Sequence, residues 1–463
     1  MIFSSISFLY FFLPAVLAVY AIAPKRLKNL TLLCASLLFY AVGEPVYVLL
    51  LLFSSLSDYL HSLYIQSHRG TRGAKIALIS SVVINLGLLG FFKYADFLIG
   101  SVNALLGVQI PLTGVSLPIG ISFFTFQTLS YTVDVYRGRV QAQCSLTTFA
   151  TFVCLFPQLI AGPIVRYSDI ESEMEQRSVT LQSWSAGVRR FAAGLAKKVL
   201  LANTFGELCS VFLASGEKSV LFYWVYAIAF MLQIYFDFSG YSDMAIGLGR
   251  LFGFTFPENF NYPYLSRSIT EFWRRWHMTL GGWFRDYVYI PLGGSRTDRR
   301  WKWLRNLAVV WLLTGLWHGA SWNFVLWGAF FGVLLILEKL YWHAFLDRHP
   351  AFGHVYVLFI VIISFVIFNA DGMSGVLADL GGLFGAGGLP LVTAQTLYYL
   401  RSYALALCFG AVGATPLMHR LWARAQHTRT MTFAEPLMVA AALLLTTACL
   451  VDGSFNPFLY FRF

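Results

Sequence analysis

The chain has 463 residues, of which 58% are hydrophobic, 17% aromatic and only 12% charged, with a mean hydropathy of +0.66. A soluble domain cannot hide that much apolar surface, and runs long enough to cross a bilayer recur along the whole length, so the composition points to an all-α polytopic membrane protein. The formal net charge of +11 is the excess that cytoplasmic loops facing anionic lipid normally carry, and no nucleic acid needs to be invoked.

Candidate spans fall at 3–22, 30–42, 45–65, 76–98, 116–134, 146–163, 184–214, 218–251, 304–319, 322–345, 355–370, 396–416 and 434–451. Several are too short or too interrupted to cross alone. The opening stretch lacks a basic n-region, its apolar part exceeds that of a signal peptide, and Lys25, Arg26 and Lys28 follow it, so it reads as a retained first span. The basic clusters are Lys25/Arg26/Lys28, Arg69/Arg72/Lys75, Arg137/Arg139, Arg189/Arg190/Lys197/Lys198, Arg267 through Arg305, and Arg420/Arg424/Arg429. If all of them face the cytoplasm, the N-terminus is extracytoplasmic, and 43–45, 99–115 and 371–395 are too, provided 146–163 dips into the membrane and returns. With no internal repeat and no long linker, residues 1–463 read as a single membrane domain.

Three stretches depart from plain span sequence. In "FPQLIAGPIVRY", residues 156–167, Pro157, Gly162 and Pro163 interrupt an apolar run, as in a re-entrant segment or a kinked helix. In "YFDFSGYSDMAIGLGRLFGF", residues 235–254, Asp237, Ser239, Tyr241, Ser242 and Asp243 sit in an otherwise apolar span. Acidic groups at that depth must face a cavity or a partner, so a hydrogen-bond network and a substrate path both fit. Residues 260–303 are too polar to span and too aromatic for an ordinary loop, which suits short helices in the interface or folded back into a protein-lined cavity.

Of nine histidines, only His277 and His318 fall within 260–330. The span starting near Arg305 carries His318 ~20 Å from the cytoplasmic edge of a core ~30 Å thick, well inside the protein. Its side chain leans toward Gly315 and Thr314, where the glycine leaves space and the hydroxyl could hold one ring nitrogen. Such a ring can serve as a general base or as a hydrogen bond between helices; ionisable groups at that depth weigh toward function. His277 follows Arg274 and Arg275, which could bind phosphate groups of a cytoplasmic cofactor or anchor the segment at the lipid surface. The six cysteines show neither a disulfide framework nor metal-ligand spacing, so no metal is expected. Phosphate-loop, nucleophile-elbow and zincin motifs are missing from the sequence.

The motifs "FDFSGYSDMAIGLGRLFGF", "NFNYPYLSRSITEFWRRWHMTLGGWFRDYVYIPLGG" and "TGLWHGASWNFVLWG" resemble the membrane-bound O-acyltransferase (MBOAT) family. So do the opening "MIFSSISFLYFFLPAVLAVY" and "LPIGISFFTFQTLSYTVDVYRG" at 117–138. They are most similar to the bacterial branch that acetylates alginate, cellulose or peptidoglycan and includes the teichoic acid D-alanylation protein. The resemblance runs from residue 1 to about 345, with a motif core at about 117–345.

It implies a fold of about 11 transmembrane helices with re-entrant and interfacial helices, in the bacterial inner membrane. It also implies no bound cofactor, cytoplasmic acetyl-CoA as donor, an extracytoplasmic polysaccharide acceptor, and a periplasmic or membrane-anchored acetyltransferase partner. The family's essential histidine maps to His318 and its upstream one to His277. On that reading Trp273, Arg274 and Arg275 would meet the acetyl-CoA. Asp237, Tyr241, Asp243, Trp317 and Asn323 would line the substrate path, and Trp317, Trp322 or Asn323 would supply oxyanion donors. A transporter using Asp237, Asp243 and His318 is the competing class, disfavoured by the lack of repeated halves; a subunit of a synthesis complex without chemistry is the third.

Overall fold

The computed structural model describes residues 1–453 and 459, and most of these residues are helical, with no strand among them. They form two compact units, Met1–Phe191 with Ser242–Pro257, and Ala192–Tyr241 with Glu258 onward.

The first unit contains α1 (Phe8–Ile22), α2 (Lys28–Ala41), α3 (Val48–Ser67), α4 (Arg72–Leu106), α5 (Ile121–Arg137), α6 (Leu146–Cys154), α7 (Tyr167–Glu175) and most of α8 (Leu181–Ala196). Its centre is aromatic, with Phe3, Phe8, Phe39 and Phe156 fully buried in mutual ring contact. A polar knot ties α3 to α4: Asp58 accepts from Ser81 at 2.6 Å and from Asn85 at 2.8 Å, and Thr128 of α5 donates to Asn85 at 3.1 Å. With every member hydrogen-bonded, this buried network is tolerated among apolar helices. The apolar run at 146–163 breaks at Leu155, and 160–166 is irregular although 149–165 is wholly buried. Irregular backbone is tolerated where protein rather than lipid surrounds it, and Ser36 accepts the Phe156 N–H at 3.0 Å.

The second unit holds α9 (Asn203–Ala214), the first two thirds of the long α10 (Val220–Leu251), the short α11 (Ile269–Arg275) and α12 (Met278–Phe284), and then α13 (Arg300–His318) and α14 (Trp322–Leu337). After these come α15 (Pro350–Asn369), α16 (Gly372–Leu383), α17 (Ala394–Gly413), α18 (Leu417–Ala425) and α19 (Arg429–Asp452). Tyr235, Phe272, Trp276, Trp327, Phe331 and Phe365 belong to its continuous hydrophobic core. The polar 260–303 stretch forms short helices, as its composition suggested.

Among the described residues, six helices are long and apolar enough to cross a membrane, or seven if the bent pair α17 and α18 is one span. The protein is thus an all-α, multi-pass membrane protein. The expected count of about 11 is not reached on length and composition. Helices such as α2, with 14 residues, and α5, with 17, fall short of the ~20 that a lone crossing needs.

Candidate active site

The site is built on α11 to α14. Ser268 caps α11 by accepting the Glu271 N–H at 3.0 Å, and Glu338 reaches the same helix end from beyond α14. The Glu338 carboxylate is buried and accepts the Ile269 N–H at 2.5 Å and the Thr270 N–H and hydroxyl at 3.0 and 2.9 Å. A carboxylate on the open N–H groups of a first turn is favoured by both hydrogen bonding and the helix dipole.

At the far end of α11 the chain turns sharply. His277 adopts φ +44°, a left-handed conformation unusual for a residue with a Cβ. Two backbone bonds hold the turn: Asn261 N–H donates to Arg275 O at 2.9 Å, and Met278 N–H donates to Asn259 O at 3.0 Å. The imidazole is buried. Its Nδ1 lies 3.0 Å from Asn259 Oδ1, and Phe238 meets it edge-on at 4.7 Å.

His318 is the last residue of α13. Its buried ring stands in an aromatic box, with Trp317 and Trp327 each 5.0 Å away and Phe368 at 5.3 Å, all near perpendicular. Trp317 also lies 5.8 Å from His277, so one indole contacts both imidazoles. α13 and α14 cross backbone to backbone: a Cβ on Gly315 would overlap the Phe324 carbonyl oxygen, and one on Gly328 would overlap that of Trp311. The space expected beside the ring at Gly315 is therefore filled by α14. The Thr314 hydroxyl donates to Val310 O at 2.7 Å.

A cavity of about 730 Å³ opens onto this region, walled by Trp273, Leu280, Leu307 and Thr314, with His277 and Arg274 in its lining. Arg285, Lys339 and His343 line it as well. Trp273 packs its ring against Trp311 and Phe331 at 4.7 and 4.9 Å. Arg274 makes no ion pair among the described residues, whereas Arg275 pairs with Glu271 at 2.8 Å and donates to Asn261 O at 3.3 Å. Arg274 thus lines the cavity, whereas Arg275 is tied to its own segment.

The acidic residues of α10 are engaged elsewhere. Asp237 forms a fully buried pair with Lys198 at 2.6 Å and does not line the cavity. Asp243 pairs with Arg190 at 2.7 Å. Tyr241 is buried. The Asn323 amide donates to the carbonyls of Ile367, Phe368 and Ala370 at 3.2 to 3.4 Å, closing the end of α15, while Trp322 is half exposed.

Sequence reasoning passed over Asn259, Phe238, Glu338, Lys339 and Phe368. The repeated asparagines of "NFNYPY" just upstream of the polar motif were the available signal for Asn259. Nothing local marks Phe368, fifty residues beyond His318.

Fold and site together define a multi-pass membrane protein with an imidazole centre suited to acid–base chemistry in a water-poor interior. The chain belongs to the membrane-bound O-acyltransferase family, MBOAT, whose model matches residues 8–377. It is 38% identical to the probable alginate O-acetylase AlgI of Azotobacter vinelandii over the whole of both chains. It is also 34% identical to the peptidoglycan O-acetyltransferase of Helicobacter pylori, over 84% of this chain and 81% of that one. With the teichoic acid D-alanyltransferase of Bacillus subtilis the identity is 29% over 56% of this chain and 68% of the relative.

Proposed function

We propose that this O-acyltransferase takes acetyl from cytoplasmic acetyl-CoA and passes it across the bacterial inner membrane for O-acetylation of an extracytoplasmic polysaccharide such as alginate, cellulose or another exopolysaccharide. The observation that carries the reading is the buried pair His277 and His318 bridged by Trp317 beside a cavity lined by His277 and by Arg274, which makes no ion pair among the described residues. The alginate O-acetylase relative, matched from end to end, supports acetyl as cargo and a uronate-type polymer as acceptor. The Helicobacter relative favours peptidoglycan as the second reading.

In this mechanism Arg274 pairs with phosphate of the donor, and the apolar wall at Leu280 and Leu307 takes the thioester arm. His318 acts as general base: it accepts the proton of an incoming hydroxyl as that oxygen attacks the acyl carbon. The tetrahedral intermediate collapses with cleavage of the carbon–sulfur bond, and the proton passes to the departing thiolate. The acceptor hydroxyl belongs to the polymer or to a nucleophile on a periplasmic or membrane-anchored partner. Because its side-chain N–H groups already serve three carbonyls, Asn323 is a support of the site, and Trp317 is the better candidate for stabilising the oxyanion. The positive-inside distribution of the basic clusters supports an extracytoplasmic N-terminus.

The test is sidedness and acceptor choice in liposomes holding the protein with its partner. Labelled acetyl-CoA on the cytoplasmic face should label a uronate polymer on the other face. Labelling only of peptidoglycan fragments would select the second reading, and labelling of a polymer on the same face would refute passage across the membrane.

A further inference from the structure

The two ring nitrogens of His277 have different surroundings. Nδ1 lies 3.0 Å from Oδ1 of Asn259, and both residues are almost completely buried. The same Asn259 atom accepts the Thr279 backbone N–H at 3.3 Å and the Thr279 hydroxyl at 2.9 Å. A backbone N–H can only donate, so the asparagine atom facing it must be the oxygen and not the amide nitrogen. An amide oxygen only accepts, so the imidazole nitrogen that faces it must carry a proton. His277 Nε2 then holds the lone pair, and this buried atom has no hydrogen-bond partner among the described residues.

We propose that Asn259 is a positioning residue that locks His277 in its Nδ1–H tautomer, so that Nε2 is presented as an acceptor for an O–H or N–H donor on the bound substrate. The proposal rests on His277 serving acyl transfer. The local backbone supports the lock: Asn259 O accepts the Met278 N–H at 3.0 Å, so one residue grips His277 by its ring and by the peptide that follows it. Phe238, perpendicular to the imidazole at 4.7 Å, packs against the ring itself. The left-handed φ of +44° at His277 is strained for a residue with a Cβ and persists only where surrounding contacts over-determine it. The division of labour at the site follows: His318 stands in an aromatic box, while His277 has a fixed donor side and a fixed acceptor side. A buried acceptor without a partner gains most when a substrate supplies the missing donor, which ties the tautomer to substrate placement.

The full-length protein labelled with 15N-histidine in lipid bilayers is examined by solid-state NMR, the His277 signals being identified by their loss in His277→Ala. The expected wild-type result is a protonated Nδ1 and an unprotonated Nε2. A protonated Nε2 would overturn the proposal whatever the activity. In Asn259→Leu, the ring should populate both tautomers, and kcat for acetyl transfer should fall about 100-fold, the order of loss from a misplaced reacting group. Asn259→Asp keeps an acceptor oxygen in place and should retain more activity than Asn259→Leu. Equal losses in these two variants, or full activity in Asn259→Leu, would contradict the positioning role. Should Asn259→Leu not fold, the wild-type spectrum together with Asn259→Asp still decides. Full activity in His277→Ala would instead remove the functional reading of His277 and leave the tautomer assignment standing.

Discussion

At the scale of single residues, neighbouring polar groups of the candidate site differ in what they are bonded to. Of the adjacent pair Arg274 and Arg275, only Arg274 lines the cavity, and Arg275 is committed to Glu271 and Asn261. Replacing Arg274 by Ala should raise KM for acetyl-CoA with little change in kcat, the signature of lost uniform binding. Arg275→Ala should act chiefly on thermal stability, and the reverse pattern in steady-state kinetics would misassign the two. Asn323 gives its side-chain amide to three carbonyls at the end of α15. Asn323→Ala should cost about 1–3 kcal/mol by leaving buried acceptors unmet, visible as a lower unfolding temperature at unchanged KM. The two histidines were legible in the sequence because an imidazole is conspicuous among tryptophans and leucines. Asn259 was not: an amide eighteen residues upstream carries no periodicity linking it to a ring, and the left-handed turn that joins them has no glycine to announce it.

At the scale of elements, apolar periodicity and length located the helices well. The spans read at 218–251 and 304–319 correspond to α10, Val220–Leu251, and α13, Arg300–His318. Less legible were the local breaks. The run read as 184–214 contains a π-helical turn at Lys197–Ala202, where the Lys198 side chain meets Asp237, and hydropathy does not encode such a register change. Nor did the sequence reveal that Gly315 and Gly328 face each other across α13 and α14; small residues permit close crossing but do not identify their partner. Gly315→Ala should force the two helices apart, with an expected cost of about 1–3 kcal/mol and a large loss of kcat, because His318 ends one of these helices. Substituting Ala at Gly87 instead, where a Cβ meets nothing within 4 Å, provides the control. Normal stability and activity in Gly315→Ala would show that the crossing tolerates expansion.

At the scale of the whole molecule, composition alone was enough to fix the class, since a chain this apolar cannot hide its apolar surface without lipid. What composition could not settle was the role of the charges within those helices. Asp237 and Asp243, which read equally well as a substrate path or a structural network, both stand in ion pairs. The Lys198–Asp237 pair is almost completely buried, so Lys198→Ala should leave an uncompensated carboxylate and destabilise the fold by about 3–5 kcal/mol, whereas replacing both partners by apolar residues should cost much less. Comparing the melting temperatures of the single and double variants measures this directly. The central claim, that the imidazole of His318 is the base of an acetyl transfer, is tested most directly by single-turnover release of label from acetyl-CoA. The measurement compares wild type with a His318→Ala variant of equal thermal stability, each supplied with partner and polymer. Rapid release by the wild type and a loss of at least about 100-fold in the variant are expected, within the usual contribution of a positioned general base. Equal release by both proteins would contradict it and return the ring in its aromatic box to a purely structural role.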